Sequence, residues 1–249
     1  MENFYVTCSS NLQTEIYNDN KPHHFITPLI KPLKLTPTKW EVAITELSYP
    51  TSYYNVNEND TQIRIFHENV EILDDNIMPG LYTVKELIDF LNRFIENAGI
   101  LEKPKIQFKF HPNASKVLLE VSDGYELHIN ENLSFKLGFN GYTVFNRSRL
   151  ASQFADLNLK NSCVYVNCNL IEETYINNSF TKLLRSIPIT SNIPRQYISH
   201  NFIKPYYKEV KSSFIDRIEF ELTTSESEPF VFHSGNVIIV LHFHKKVKK

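Results

Sequence analysis

The chain has 249 residues, of which 42% are hydrophobic and 13% aromatic, with a formal net charge of −2 and only six glycines. That length suits one large all-β domain, or one domain carrying an insertion, with a sizeable core. The near-neutral charge excludes a globally basic nucleic-acid binder, and the scarcity of glycine argues against a phosphate-cradling loop.

Met1-Glu2-Asn3-Phe4-Tyr5 carries no basic region followed by an apolar run, so no secretory signal is expected. Phe4–Cys8 reads as the first strand. His24–Ile30 reads as a second, broken by Pro28 and Pro32. Lys39–Leu47 is the third: Trp40, Val42 and Ile44 alternate with Glu41, Ala43 and Thr45, the period of a half-buried strand, and Tyr49-Pro50 closes it. Thr61–His67 is the fourth, after a polar loop.

The middle changes character. Thr83 and Glu86 form a capping-box pair, and Val84, Leu87, Ile88, Leu91, Phe94 and Ile95 follow at helical spacing. Three short strands follow, Lys105–Phe110, Lys116–Val121 and Tyr125–Ile129, with turns at Pro112-Asn113 and Asp123-Gly124. A short helical turn then ends at Gly138. The helix is expected to pack its Leu87, Leu91 and Phe94 face on this meander. From 160 onward the strands resume: Cys163–Leu170, Leu184–Ile189, Phe214–Leu222, Phe230–His233 and Val237–His244. In Phe214–Leu222, Ile218, Phe220 and Leu222 alternate with Arg217, Glu219 and Glu221, so one face is wet. The expected organisation is therefore an all-β jelly-roll sandwich. Residues 1–69 hold its first strands, 70–140 an inserted helix-plus-β-meander subdomain, and 141–249 the remaining strands.

No catalytic constellation emerges. There is no nucleophile elbow and no His-Glu-x-x-His. The carboxylate pairs Asp74-Asp75 and Glu172-Glu173 are sequence neighbours in polar stretches, where solvation is the ordinary state. His23-His24 and His242-x-His244 have the best ligand-like spacing, but histidines near strand ends serve more often as surface contacts, and neither a metal nor a cofactor is expected. Cys8, Cys163 and Cys168 make an odd count; Cys163 and Cys168 fall on opposite strand faces, so free thiols are expected. The longest apolar run, Val237–Leu241, is far too short to span a bilayer, so no membrane partner is expected.

Two features point to association. Tyr49, Tyr53 and Tyr54 cluster after a strand, and Tyr206-Tyr207 repeats the pattern; tyrosine suits subunit interfaces because one end is apolar and the other polar. Lys245, Lys246, Lys248 and Lys249 form a basic end able to make weak, salt-sensitive contact with a polyanion such as packaged DNA, or with an acidic neighbour; a solvated end is the alternative.

Several short stretches carry a family likeness. Phe4-Tyr5-Val6-Thr7 with Ser10-Asn11, Trp40–Pro50, Pro79-Gly80-Leu81-Tyr82-Thr83 through Leu91-Asn92, Leu137-Gly138-Phe139, Val164-Tyr165-Val166, Leu183–Pro188 and Gly235–Phe243 together resemble the small capsid proteins of Maverick/Polinton-type elements and adintovirus-like viruses. The resemblance implies a penton-type minor capsid protein of the virion: a single jelly roll forming homopentamers at icosahedral vertices. Its partners would be copies of itself and the major capsid protein of the same shell. It implies assembly inside the host cell, in cytoplasm or nucleus, and no enzymatic activity. Another virion component of the same elements, a lectin- or cytokine-like ligand-binding sandwich, and a hydrolase on a β scaffold are the rival readings.

Overall fold

A computed structural model describes residues 3–12, 19–97, 105–159, 162–176, 179–189 and 196–246. The chain divides into two compact units: Met1–Tyr53 with Lys160–Lys249, and Tyr54–Leu159.

The first unit is an eight-stranded antiparallel sandwich. Its strands are Asn3–Ser9 (β1), His24–Lys34 (β2), Trp40–Pro50 (β3), Cys163–Cys168 (β4), Leu183–Pro188 (β5), Tyr197–Asn201 (β6), Phe214–Thr223 (β7) and Ile238–Lys245 (β8). One sheet runs in the order β1-β8-β3-β6, and the short strand Lys208–Glu209 also pairs with β3. The other runs β5-β4-β7-β2. Consecutive strands therefore alternate between sheets except β4–β5. This order, 1-8-3-6 against 5-4-7-2, is that of a jelly roll, and the Tyr54–Leu159 unit interrupts it between β3 and β4. The fold is thus all-β, a single jelly roll with an insertion.

Alternation builds the core. Ile239, Leu241 and Phe243 of β8 point inward, as do Ile218, Phe220 and Leu222 of β7; all six are buried. In β3 the alternation changes phase. Ile44 faces Leu241 and Glu46 faces Val240, so Thr45 is left over as a bulge, and Leu47 and Tyr49 then point inward after Val42 and Ile44. The Thr45 hydroxyl donates to the Val240 carbonyl at 3.2 Å. The prolines expected to break β2 do not. The strand lies at a sheet edge, pairing only with β7, and the register skips from Pro28 to Leu33, so the proline stretch bulges out of the ladder and leaves Ile30 fully exposed. Two other expectations change. Phe230–His233 is a loop whose Phe230 and Phe232 are buried, and the strand that completes the set of eight is instead β6, Tyr197–Asn201.

The second unit has its own core, centred on Ile63, Leu87, Leu91, Phe108, Leu119, Leu127 and Phe139. Its helix α1 (Val84–Asn97) begins with the expected capping box: the Thr83 amide donates to Glu86 at 2.8 Å and the Glu86 amide to the Thr83 hydroxyl at 3.2 Å. Leu87, Ile88, Leu91 and Ile95 are buried, and Phe94 is half-buried. Asn92 clamps α1 to strand Ile106–His111 through both the amide and the carbonyl of Phe108, at 2.8 and 2.9 Å. Ile106–His111 pairs with Lys116–Val121, which pairs with Arg149–Leu150. Tyr125–Ile129 leaves this meander and pairs with Gln62–His67, which also pairs with Val70–Asn76. The unit, Tyr54–Leu159, is wider than the expected 70–140: Gln62–His67 pairs with Tyr125–Ile129 on one side, and Arg149–Leu150 with Lys116–Val121 on the other. A short helix α2 (Glu131–Lys136) ends at Gly138, whose φ of +85° suits glycine.

Candidate functional surfaces

The outer face of the first sheet carries a ring and charge cluster. Because β8 lies between β1 and β3, cross-strand pairing sets Tyr5 against His242 and His244 against Glu41. The Tyr5 and His242 rings stack at 4.5 Å, and the Tyr207 ring meets that of His244 edge-on at 4.1 Å. Tyr207 Oη and His242 Nδ1 share a hydrogen bond of 2.6 Å. Burial, then the neighbouring His244, lowers the His242 pKa below the usual imidazole value, and burial raises that of Tyr207. His244 Nε2 is 3.4 Å from Glu41, which Lys246 approaches at 3.6 Å while also pairing with Glu209.

The tyrosines divide into two groups. Tyr49 and Tyr53 are core residues, 0% and 1% exposed, packed on Phe232 and Phe230 respectively, so neither can contribute to a subunit interface as expected. Tyrosine can bury its whole ring when its hydroxyl finds a partner, and Tyr49 Oη lies 3.4 Å from His200 Nε2. Tyr54 and Tyr207 are half-buried. Tyr206 is 69% exposed, and the Arg185 guanidinium lies 4.6 Å over its ring and 3.7 Å over that of Phe202. Of the lysines, Lys245 is exposed. Lys246 is engaged by Glu209 and Glu41, whose proximity raises its pKa, so it is not the free polyanion contact expected. Lys248 and Lys249 lie outside the described residues.

A cleft of about 490 Å³ opens on the outer face of the second sheet, lined by Tyr165, Asn167, Glu173, Phe180, Glu219 and Glu221 among others. Beside it the hairpin Thr174–Ile176/Ser179–Thr181 displays Tyr175 and Phe180 as an exposed edge-to-face pair, 4.0 Å between centroids. On the neighbouring strand His24 Nε2 is 2.9 Å from Glu219 Oε1. His24 is separated from Glu219 by 195 positions in sequence. The alternation of β7 was the one available signal, marking Glu219 and Glu221 as outward neighbours. Of the adjacent His23 and His24, only His24 joins a cluster of possible ligand side chains among the described residues, with Glu219 and Glu221.

Two of the three cysteines are poor nucleophiles. Cys8 and Cys168 are buried between the sheets, and burial pushes their thiols up to about 11 and about 12. All three cysteines are free thiols. Among the described residues no helix is long and apolar enough to cross a membrane.

No protein-family model matches the chain, and neither does any curated protein. Solved structures do share its fold. The mavirus penton protein matches at a TM-score of 0.52 over 99% of this chain and 100% of its own, with 12% sequence identity. A chain in the structure of the Sputnik virophage matches at 0.51, over 99% of this chain and 98% of its own, with 13% identity.

Proposed function

We propose that this chain is a penton-type minor capsid subunit that closes into a five-fold ring at the vertices of an icosahedral shell, in a virus or element of the Maverick/Polinton, adintovirus-like kind. The observation that carries this reading is the end-to-end match to the mavirus penton protein, which includes the inserted middle unit as well as the jelly roll. A vertex protein needs no reacting groups, which agrees with the burial and raised pKa of the Cys8 and Cys168 thiols. It does need side surfaces that repeat head to tail and close. Ile30, Ile203 and Tyr206, all strongly exposed on the sandwich, are apolar or aromatic side chains of the type such contacts use. The partners in this reading are copies of the chain and the major capsid protein, the location is the virion, and exposed Lys245 makes at most a weak contact with packaged DNA.

Imaging of assembled particles, or of concentrated protein, tests it. Five-fold rings at vertices are the expected result, and Tyr206→Ala should weaken ring formation while leaving the melting temperature of the protomer unchanged. Trimers tiling the faces, or absence from the shell, would overturn the reading. A stable monomer that binds a small ligand saturably would favour the ligand-binding sandwich.

A further inference from the structure

β2 and β7 run antiparallel with His24 opposite Glu221 and Ile26 opposite Glu219. Side chains two apart on a strand share a face, as do those directly opposite on its neighbour, so His24, Glu219 and Glu221 all stand on the outer surface of the second sheet. One ligand atom from each lies within 4.8 Å of the others. Two carboxylates side by side on one sheet face repel. A neutral imidazole compensates neither, and a protonated one compensates only one. Among the described residues no lysine or arginine pairs with Glu219 or Glu221, although Lys182 lines the same cleft. The two glutamates thus stand side by side on β7 without an ion pair to a lysine or arginine among the described residues, although Arg217 and Lys211 line a neighbouring cleft with Glu219.

We propose that His24, Glu219 and Glu221 form a three-ligand site for a divalent transition ion of the Zn²⁺ class. An imidazole nitrogen and two carboxylate oxygens are a donor set that Zn²⁺ accepts, at about 2.0–2.2 Å from the ion. Donors at that radius in a tetrahedron lie about 3.4 Å apart. Their backbones are fixed by the ladder, so closing from within 4.8 Å to that spacing falls to side-chain rotation. Ca²⁺ requires six to eight oxygens, more than the site supplies. Binding replaces the His24–Glu219 hydrogen bond with two metal bonds and removes the repulsion between the carboxylates. The fourth position is left to water or to a donor from another molecule.

The test is calorimetric titration of Zn²⁺ into the full chain after chelator treatment, with Ca²⁺ and Mg²⁺ in parallel. Saturable binding of a single ion per chain is expected, with a rise in melting temperature and no comparable response to Ca²⁺ or Mg²⁺. His24→Ala and Glu221→Gln should each weaken binding at least about tenfold, because loss of even a supporting partner of a ligand costs about 10–100-fold. Affinity should fall on acidification, since a proton competes for the imidazole. His242→Ala should leave binding unchanged. Each variant must melt like the wild type without metal; His24→Gln replaces His24→Ala if that variant does not. Absence of saturable binding, equal response to Ca²⁺, or loss of binding through His242→Ala in place of His24→Ala would overturn the proposal.

Discussion

Lys136 of α2 and Asp60 form a buried ion pair in the middle unit, their side chains 7% and 4% exposed. Each charge also has a second partner: Lys136 Nζ donates to the Asn55 carbonyl at 2.7 Å, and the Asp60 carboxylate accepts from the Asn57 amide at 2.8 Å. Removing one partner strands the other charge away from water. Lys136→Met should therefore destabilise by about 3–5 kcal/mol in denaturant unfolding. The double variant Lys136→Met with Asp60→Asn should lose less than the sum of its single variants, because the second change removes the stranded charge.

Leu91 is fully buried on the inner face of α1. Leu91→Ala should cost about 2–5 kcal/mol, the range for truncating a buried leucine. Phe94→Ala, at a half-buried site on the same face, should cost less. Urea unfolding of the two variants checks both, and a loss at Leu91 below about 0.5 kcal/mol, the usual limit for a surface site, would show that this face is not core.

Gly138 combines a φ of +85° with a crowded approach: a Cβ there would sit 2.5 Å from the Gln153 carbonyl oxygen. Gly138→Ala should lower stability by at least about 1–3 kcal/mol, the cost of holding a non-glycine residue in left-handed backbone. Thermal unfolding measures it, and a neutral result would mean that the segment after α2 can shift freely.

The buried thiols predict alkaline sensitivity. Cys8 and Cys168 rise from an ordinary 9.0 to about 11 and about 12, and Tyr49 from 10.0 to about 12, each chiefly through burial. An acid whose folded pKa is raised leaves stability intact below its unfolded value; stability is lost as pH climbs through the folded one. The melting temperature should hold up to about pH 9 and decline between about pH 9 and 12. Cys8→Ala should flatten part of that decline, whatever it does to stability at neutral pH. Alkylation of the native protein at pH 8 should reach half-buried Cys163 first.

Local rules made α1 legible before any tertiary contact was known: the Thr83–Glu86 cap and the Leu87–Leu91–Ile95 stripe are short-range signals. So was the wet face of β7. What escaped depended on pairing. The bulge at Thr45 resets the inward phase of β3, and the strand runs on to carry Tyr49, expected in the cluster after it, into the core. Tyr197–Asn201 is an edge strand with a polar Ser-His-Asn run and little alternation to betray it. Tyr125–Ile129 follows Lys116–Val121 after a tight Asp123-Gly124 turn, the sequence pattern of a hairpin, yet its ladder is with Gln62–His67. Glu219 and Glu221 were readable as neighbours, but the arrival of His24 beside them is a property of the β2–β7 register alone.

The strand order of the first sheet has a consequence for biosynthesis. β1 and β3 share no backbone pairing; β8 lies between them, pairing with β1 from Asn3 to Ser9 and with β3 from Trp40 to Ser48. The centre of that sheet is thus the last of the eight strands to leave the ribosome. Until it arrives, the nascent chain carries two strands whose facing edges are unpaired, the condition under which misassembly and aggregation compete with folding. A ribosome stalled before Ile238 would hold a complete second unit but incomplete first-sheet pairing, so the sandwich should acquire protease resistance only after β8 has emerged, in a single late step.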